Sequence, residues 1–218
     1  MRIRHKSWAR PELDACPFCI KQPENNKGTW SEEFTNKQPI HIELGCGKGG
    51  FISSAIIANR NINYIAIDIK SEMLAIARRK IDQQLSQKGL SHDNIRIFIK
   101  NIEQIDSCFD NNDVIEKIYI NFCNPWPKPK HKKRRLTHQH LLEKYKAFLK
   151  PTGEIWFKTD DDDLFNESFS YFEQSGFEIK YKTFDLHSSE FGENIETEHE
   201  KMFTEMGKTI KFLIAVQK

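Results

Sequence analysis

Long apolar runs are missing from this 218-residue sequence. Its longest unbroken apolar stretches, such as residues 212–216, are far shorter than the roughly 20 residues that a membrane-spanning helix needs. The first six residues include basic side chains, but no apolar segment follows them, so we do not expect a secretory signal. The sequence therefore predicts neither a membrane protein nor a secreted one.

Cysteine is scarce and irregularly spaced. The five cysteines lie at positions 16, 19, 46, 108 and 123, a pattern that is not typical of a disulfide framework, and we expect a protein of the reducing cytoplasm. Cys16 and Cys19 form a CxxC pair, but a structural zinc site needs a second pair of ligands, and none occurs at a suitable spacing. We therefore expect two ordinary thiols and no bound metal.

Net charge is also nearly absent. The 33 Lys and Arg residues almost balance the 31 Asp and Glu residues, which gives a formal charge of +2 and by itself argues against a nucleic-acid partner. The distribution argues the opposite, because basic residues cluster at 2–10 and 128–135 and acidic residues at 160–163. Basic clusters of this kind attract a phosphate backbone.

What the sequence does have is alternation of β-rich and helical stretches. We predict strands at residues 40–44, 64–69, 95–100, 117–123 and 154–159, and helices at residues 51–59, 71–87 and 137–149. This alternation predicts an α/β fold with helices on both faces of a parallel sheet. Two later runs, residues 177–184 and 209–216, are joined by a loop and not by a full helix, so we expect an antiparallel strand at the end of the sheet.

A glycine-rich turn separates the first predicted strand from the first predicted helix. Residues 43–50 read Glu-Leu-Gly-Cys-Gly-Lys-Gly-Gly, in which the glycines allow a sharp turn and a close approach of a ligand to the backbone. Asp68 closes the second strand, where a carboxylate can accept hydrogen bonds from both ribose hydroxyls of a nucleoside cofactor. The pattern also fits a dinucleotide site that uses Gly45, Gly47 and Gly50, so a nicotinamide-dependent dehydrogenase stays an alternative.

Two further side chains bear on the choice of cofactor. Glu43 would repel a pyrophosphate but suits the cationic end of S-adenosylmethionine, which favours a methyltransferase. Asn101 follows the third strand at the carboxyl edge of the sheet, where its amide either serves an adenine or simply shapes a turn.

A stiff aromatic loop and a basic run follow the fourth strand. Two prolines flank Trp126 and hold its ring where a substrate would sit. Residues 128–135 then carry six cations and one histidine, a run that suits a phosphate backbone beside a stacked base. We predict nucleic-acid contact by Lys130, His131, Lys132, Lys133, Arg134 and Arg135.

Two more motifs occur late in the chain, Phe-Lys-Thr-Asp at residues 157–160 and Thr-Glu-His-Glu at residues 197–200. Earlier come the opening Met-Arg-Ile-Arg-His-Lys-Ser-Trp-Ala, the glycine turn, and the Asn-Pro-Trp-Pro-Lys loop with its basic run. In this order, over essentially the whole chain, the set resembles the bacterial tRNA (guanine-N7-)-methyltransferase family. The combination is specific even though no single motif is.

The resemblance implies a class I S-adenosylmethionine-dependent methyltransferase fold. This fold is Rossmann-like, with a mostly parallel seven-stranded sheet, an antiparallel last strand and helices on both faces. The implied reaction transfers a methyl group from S-adenosylmethionine to N7 of a guanine in the variable loop of tRNA. By resemblance, the cofactor contacts are Glu43, Gly45, Asp68, Asn101 and Asn124. By the same resemblance, the substrate contacts are Lys128, Asp160, Thr197, Glu198, His199 and Glu200.

The chain divides by composition into two parts. Residues 1–38 are polar and rich in Pro, Asn, Lys and Glu, and we interpret them as a partly irregular N-terminal arm that contacts RNA. Residues 39–218 are predicted to form a single methyltransferase domain. The sequence does not distinguish a monomer from a homodimer.

Asn124 departs from the family's usual pattern, which has Asp before Pro-Trp and often assigns that Asp the catalytic role. Asn cannot take up a proton, so a general base at this position is not expected. Guanine N7 offers a lone pair and loses no proton on attack, so positioning and desolvation can supply most of the rate. We therefore expect Asn124 to orient the cofactor or the guanine by hydrogen bonds.

Several of these residues also fit purely structural roles. Thr197 and Glu200 fit a capping box, and acidic residues at 161–163 suit the start of a helix. The function has alternatives as well. An Asn-Pro-aromatic loop also fits an enzyme that methylates the amino group (N6) of adenine, and a non-catalytic RNA-binding protein is a further alternative.

Overall fold

A single mixed sheet forms the centre of the molecule, whose computed structural model describes residues 5–218; Arg2 and Arg4 of the predicted basic arm lie outside the described residues. The strands are β1 (Ile40–Leu44), β2 (Asn63–Asp68), β3 (Ile95–Ile99), β4 (Ile115–Asn121), β5 (Leu149–Thr159), β6 (Phe177–Thr183) and β7 (Lys211–Gln217). Their order is β3-β2-β1-β4-β5-β7-β6. The first five strands pair in parallel, and β7 lies antiparallel between β5 and β6, which confirms the predicted sheet.

Helices cover both faces of this sheet, as predicted. Within the described residues they are α1 (Ala9–Asp14), α2 (Gly50–Ala58), α3 (Ser71–Gln87), α4 (Gln139–Lys146), α5 (Asp162–Gln174) and α6 (Glu198–Glu205). The first three bury side chains such as Leu13 and Ile52 in one core, whereas α4 and α5 bury Leu142 and Phe165 in the core on the opposite face. Each face of the sheet therefore has its own apolar core.

The N-terminal arm contributes to these cores. The indole of Trp30 is fully buried, stacks against Phe98 and Phe109 at centroid distances of 5.3 and 5.2 Å, and donates to the carbonyl oxygen of Cys108 at 2.8 Å. The carboxylate of Asp113 accepts hydrogen bonds from the backbone N–H groups of Gly28 and Trp30 at 2.8 and 3.1 Å. Polar composition concealed this packing, because a few buried aromatic residues suffice to anchor an otherwise polar segment.

The direction in which the chain winds reverses between β1 and β4. From β1 the chain proceeds outward through β2 to β3, and then crosses back to place β4 on the other side of β1. At such a point the connections after the two adjacent strands leave toward opposite faces, so a crevice opens outside their carboxyl ends. The predicted site residues follow these strand ends.

Candidate functional site

A cavity of about 610 Å³ opens at the carboxyl edge of the sheet. Its lining includes residues that follow β1, β2, β3 and β4, so four separate strand ends build it. Four of the predicted cofactor residues are among them: Gly45, Asp68, Asn101 and Asn124. The cavity also contains apolar side chains that sequence reasoning missed, notably Ile69, which is 53% exposed, and Ile102. The sequence carries no signal for Ile69, which was predicted as the last residue of the second strand, whereas β2 ends at Asp68.

A smaller cavity of about 210 Å³ lies beside the first and shares Gly45 and Phe122 with it. Glu43 and Asn121 line this cavity from the sheet, and the first turn of α6 lines it as well. The fifth predicted cofactor residue is therefore next to the other four, in an adjoining space.

The glycine turn shapes the wall between the two cavities. Gly47 has a left-handed φ of +54°, and a Cβ at this position would meet nothing within 4 Å. Gly49 has a φ of +76°, and a Cβ there would lie 2.7 Å from the Cβ of Ala77. Gly49 is thus required for the close packing of α2 on α3, while the space beside Gly47 is open to a ligand.

Glu43 is a buried carboxylate with one oxygen left over. Its Oε1 accepts a hydrogen bond from the amide of Asn121 at 3.2 Å, whereas Oε2 is buried without a partner among the described residues. Burial is the main cause that raises the pKa of Glu43 to about 7; the bond from Asn121 opposes the rise, and the charge of Asp68 adds to it. An unsatisfied carboxylate oxygen at a cavity wall is a place for a ligand's cationic group.

Asp68 and Asn101 are both held by backbone groups. Asp68 accepts from the N–H of Gly47 at 2.9 Å and from the N–H of Lys70 at 2.8 Å. Burial raises the pKa of Asp68, and these hydrogen bonds oppose the rise. The side-chain oxygen of Asn101 accepts from the N–H of Glu103 at 3.1 Å and so begins a 3-10 helix. Asn101 also lines the larger cavity. Its two proposed roles are therefore compatible.

The loop after β4 is more constrained than its prolines indicate. The side-chain oxygen of Asn124 accepts from the N–H of Trp126 at 3.0 Å. Phe122 and Trp126 have left-handed φ values of +52° and +44°, which are costly for residues other than glycine. Conformations of this kind persist only where the surrounding structure enforces them.

Arg135 enforces the conformation of this loop, and its position bears on one prediction. It is 1% exposed, donates from Nε to the carbonyl oxygen of Pro125 at 2.6 Å, and donates from Nη1 to Glu167 of α5 at 2.9 Å. Its predicted contact with RNA does not fit this burial. A charge run gives no sign that its last member turns inward.

The remaining members of the basic run follow the aromatic loop in the chain, and Arg134 lines the larger cavity. Lys128, Lys130, Lys133 and Arg134 are exposed, and Arg134 places its guanidinium 5.2 Å from the ring centroid of Trp126. His131 is half-buried with its ring 5.7 Å from the same indole, and Lys132 pairs with Glu167 at 2.5 Å.

The segment Thr197–Glu200 divides into a buried pair and an exposed pair. Thr197 and Glu200 form the predicted capping box of α6, and Glu200 is fully buried beside Lys158. Because the side chain of Glu200 does not reach the surface, its burial does not favour the predicted substrate contact, which stays a prediction. Glu198 and His199 are exposed, and His199 stacks on Phe122 with ring centroids 6.0 Å apart.

Asp160 lies directly after β5, at the same edge of the sheet. Its carboxylate pairs with Lys208 at 2.6 Å, and its side chain is 20% exposed. Asp161 caps α5 by accepting from the N–H of Leu164 at 2.7 Å, so the next acid of the run has the predicted helix-start role.

Residues 5–218 contain no group of three or more His, Cys, Asp or Glu residues arranged to hold a metal ion. All five cysteines are free, and burial raises the pKa of both members of the CxxC pair, that of Cys19 to about 12. Over the same part of the chain, no helix is both long and apolar enough to cross a membrane.

Comparison with known proteins finds relatives over the full length of the chain. A family model described as "Putative methyltransferase" matches residues 37–213. A protein of Ruminiclostridium cellulolyticum named tRNA (guanine-N(7)-)-methyltransferase is 61% identical over 100% of this chain and 93% of its own length. A protein of the same name from Clostridium botulinum is 56% identical, covering 100% of this chain and 99% of the relative.

Solved structures show the same fold at low sequence identity. An antibiotic-related methyltransferase superposes with a TM-score of 0.60 at 21% identity, covering 84% of this chain and 88% of the other. The antibiotic-resistance methyltransferase Kmr gives a TM-score of 0.58 at 13% identity, covering 86% and 90%. The class I methyltransferase fold expected from the resemblance is thereby confirmed.

The raised pKa of Glu43 predicts a pH-dependent cost in stability. The unfolded chain loses this proton near pH 4.5, but the folded protein keeps it until about pH 7, so folding becomes less favourable as pH rises between these values. Relative to Glu43→Gln, the wild-type free energy of unfolding should fall by about 2 kcal/mol between pH 5 and pH 8. Urea denaturation of both proteins without cofactor, at pH 5 and at pH 8, measures this free energy of unfolding. Replacing the exposed Glu32 by Gln is the control. If the free energies of unfolding of wild type and Glu43→Gln differ by the same amount at both pH values, the pKa of Glu43 is not raised by burial.

Proposed function

Because the chain belongs to the methyltransferase family whose model covers residues 37–213 and whose relatives are tRNA (guanine-N(7)-)-methyltransferases, we propose a specific reaction for it. The chain transfers a methyl group from S-adenosylmethionine to N7 of a guanine in the variable loop of tRNA. The observation that carries the proposal is the pair of adjoining cavities. They are lined by the unsatisfied carboxylate of Glu43, by Asp68, which suits the ribose of a nucleoside, and by the aromatic loop with Trp126, close in the chain to exposed cations.

The residues present fit S-adenosylmethionine. The free oxygen of Glu43 suits the cationic amino-acid end of the cofactor, and Asp68 suits its ribose hydroxyls. Asn101, Ile69 and Ile102 offer an amide and apolar surface for the adenine. When bound, the cofactor supplies an electrophilic methyl group on a sulfonium. The family membership sets aside the nicotinamide-dependent dehydrogenase.

The chain's own residues would act by positioning. Guanine N7 has no proton to lose on attack, so no side chain has to accept one at that atom. Asn124 orients the cofactor or the guanine, and the loop that carries it is held by the buried Arg135. The ring of Trp126 lines the same cavity and excludes water from it.

The tRNA would lie across the carboxyl edge of the sheet. Lys128, Lys130, Lys133 and Arg134 supply exposed positive charge there, and the basic arm is proposed to add to it. Glu198 and His199 are the members of the late motif that remain available to a substrate. Asp160 would accept hydrogen bonds from N1–H and the 2-amino group of guanine, which requires Lys208 to give up its ion pair. Free cysteines agree with a cytoplasmic location, which is also part of the proposal.

The reaction is tested by locating the modified nucleoside in a defined tRNA. We expect incubation with labelled S-adenosylmethionine to yield 7-methylguanosine, at which borohydride reduction and aniline treatment cleave the strand, at one position in the variable loop. The control is the same tRNA with adenosine at that position. Label recovered as N6-methyladenosine, without cleavage, would instead establish the adenine amino-group alternative.

The exposed part of the basic run should set the salt dependence of tRNA binding. Replacing Lys130, Lys133 and Arg134 by Ala should lower the slope of log Kd against log salt by about 2, because each phosphate contact releases counterions. Filter binding at several salt concentrations measures the slope. The matched control replaces Lys37, Lys88 and Lys150, which are exposed and lie near the starts of β1, β3 and β5, at the opposite edge. An unchanged slope in the first variant would move the RNA surface elsewhere.

A further inference from the structure

Lys158 is a buried cation for which neither the motif pattern nor the proposed reaction provides a role. It lies in β5, 3% exposed, opposite Asn121 of β4 in the sheet register. Its ammonium donates to the carbonyl oxygen of Ile195 at 3.1 Å, to Glu200 at 3.2 Å, and to the side-chain oxygen of Asn194. All three acceptors belong to the chain that leads into α6 or to its first turn.

Glu200 completes this network from the helix side. Its Oε2 accepts from Lys158 and from the N–H of Thr197 at 3.3 Å, and its Oε1 accepts from the amide of Asn194 at 2.7 Å. The hydroxyl of Thr197 accepts in return from the N–H of Glu200 at 3.0 Å. His187 approaches Oε1 at 3.3 Å. The cap of α6 is therefore tied to the sheet through one buried ion pair.

The helix is too short to be stable by itself. It spans eight residues, and isolated helices shorter than about 12–15 residues are marginal in water. Its outer face exposes Met202 and Met206, which are 43% and 64% exposed. A tertiary anchor is needed, and the Lys158–Glu200 pair provides one at the end that faces the site.

That same end is a wall of the smaller cavity. Glu198 lies against the glycine turn, since a Cβ at Gly50 would be 3.4 Å from its Cγ, and it pairs with Lys80 of α3. His199 stacks on Phe122. Glu43 lines the same cavity, and its bonded partner Asn121 is the neighbour of Lys158 in the sheet.

We infer that Lys158 is a positioning residue for the cofactor site: through Glu200 it fixes the first turn of α6 as a wall of the smaller cavity, which Glu43 also lines, and Glu200 makes no contact with tRNA. The inference rests on the proposed function where it assigns this cavity to S-adenosylmethionine. Lys158 lines neither of the two cavities, so it acts on the cofactor site through Glu200 and not by direct contact.

Removing one partner of a buried pair differs sharply from neutralising both. Lys158→Met leaves the carboxylate of Glu200 buried without its cation, which is strongly unfavourable, whereas a neutral pair of similar size is tolerated. Lys158→Met with Glu200→Gln is such a pair, and Gln still completes a capping box.

Two binding constants and one exchange measurement test the inference. Lys158→Met should accelerate amide hydrogen exchange in residues 200–205 and raise the Kd for S-adenosylhomocysteine by about tenfold or more, which is part of the cost of an unpaired buried charge. The Kd for tRNA should stay within about twofold, because phosphate contacts of the basic run, away from α6, supply most of that affinity. The double variant should restore both changed values. Lys201→Met, an exposed lysine of the same helix, is the matched control.

Three results would overturn the inference. The first is unchanged exchange in α6 for Lys158→Met, and the second is an unchanged Kd for S-adenosylhomocysteine. The third is weaker tRNA binding by Glu200→Gln alone, because it would place Glu200 on the substrate. If Lys158→Met does not fold, the double variant and Glu200→Gln decide. Cofactor binding and hydrogen exchange near wild type in the double variant support the positioning role of Lys158. Weaker tRNA binding by either variant contradicts the inference.

These readouts need no methyl transfer, so they separate this inference from the proposed function. A wild-type protein that fails to bind S-adenosylhomocysteine would refute the assignment of the cavity. The exchange data would still show whether Lys158 anchors α6.

Discussion

The reversal of winding between β1 and β4 is the constraint on which the rest of the site depends. It opens a crevice at the carboxyl edge that neighbouring helices cannot fill, and it brings two unrelated parts of the chain side by side. Strand β1 delivers Glu43 and the glycine turn, and β4 delivers Asn121 and the aromatic loop. The contact between Asn121 and Glu43 joins these two contributions at the floor of the crevice.

Three buried charged residues then define the walls of this crevice. Arg135 and Lys158 are each satisfied by carboxylates and carbonyl oxygens, and they hold the loop after β4 and the start of α6 respectively. Glu43 is different, because one of its oxygens has no partner within residues 5–218. Fully paired charges fix geometry, whereas an unpaired one costs stability and is retained where a ligand compensates it. The site therefore combines rigid walls with one unsatisfied group.

Much of the fold could be predicted, because alternating apolar runs carry their own periodicity. The seven strands, helices α2, α3 and α4 and the antiparallel end all follow from it. Helix α6 lies in the connection predicted as a loop, where only the capping box at Thr197 indicated a helix start. The predicted cofactor residues meet because parallel strands end at the same edge. What the sequence could not reveal is which charges turn inward. Arg135 and Glu200 sit in polar surroundings in the chain, and only the packing of α5 and β5 against them shows that they are buried.

Local strain was equally hidden. Phe122 and Trp126 adopt left-handed backbone conformations. Neither is glycine, so the residue types at these positions do not predict the conformation. The Trp30 anchor of the arm was concealed in the same way by its polar neighbours. In each case the deciding term is a tertiary contact that a local pattern does not contain.

Catalysis by positioning, with Asn124 as an orienting group and no general base, is the central claim. The most direct test compares single-turnover methylation by wild type and by Asn124→Asp across a range of pH, at saturating tRNA and cofactor. We predict rates for the variant that do not exceed those of wild type and a pH profile without a new carboxylate ionisation, since N7 has no proton to give. A rate increase of about a hundredfold or more, the contribution typical of a general base, at unchanged tRNA affinity would contradict the claim.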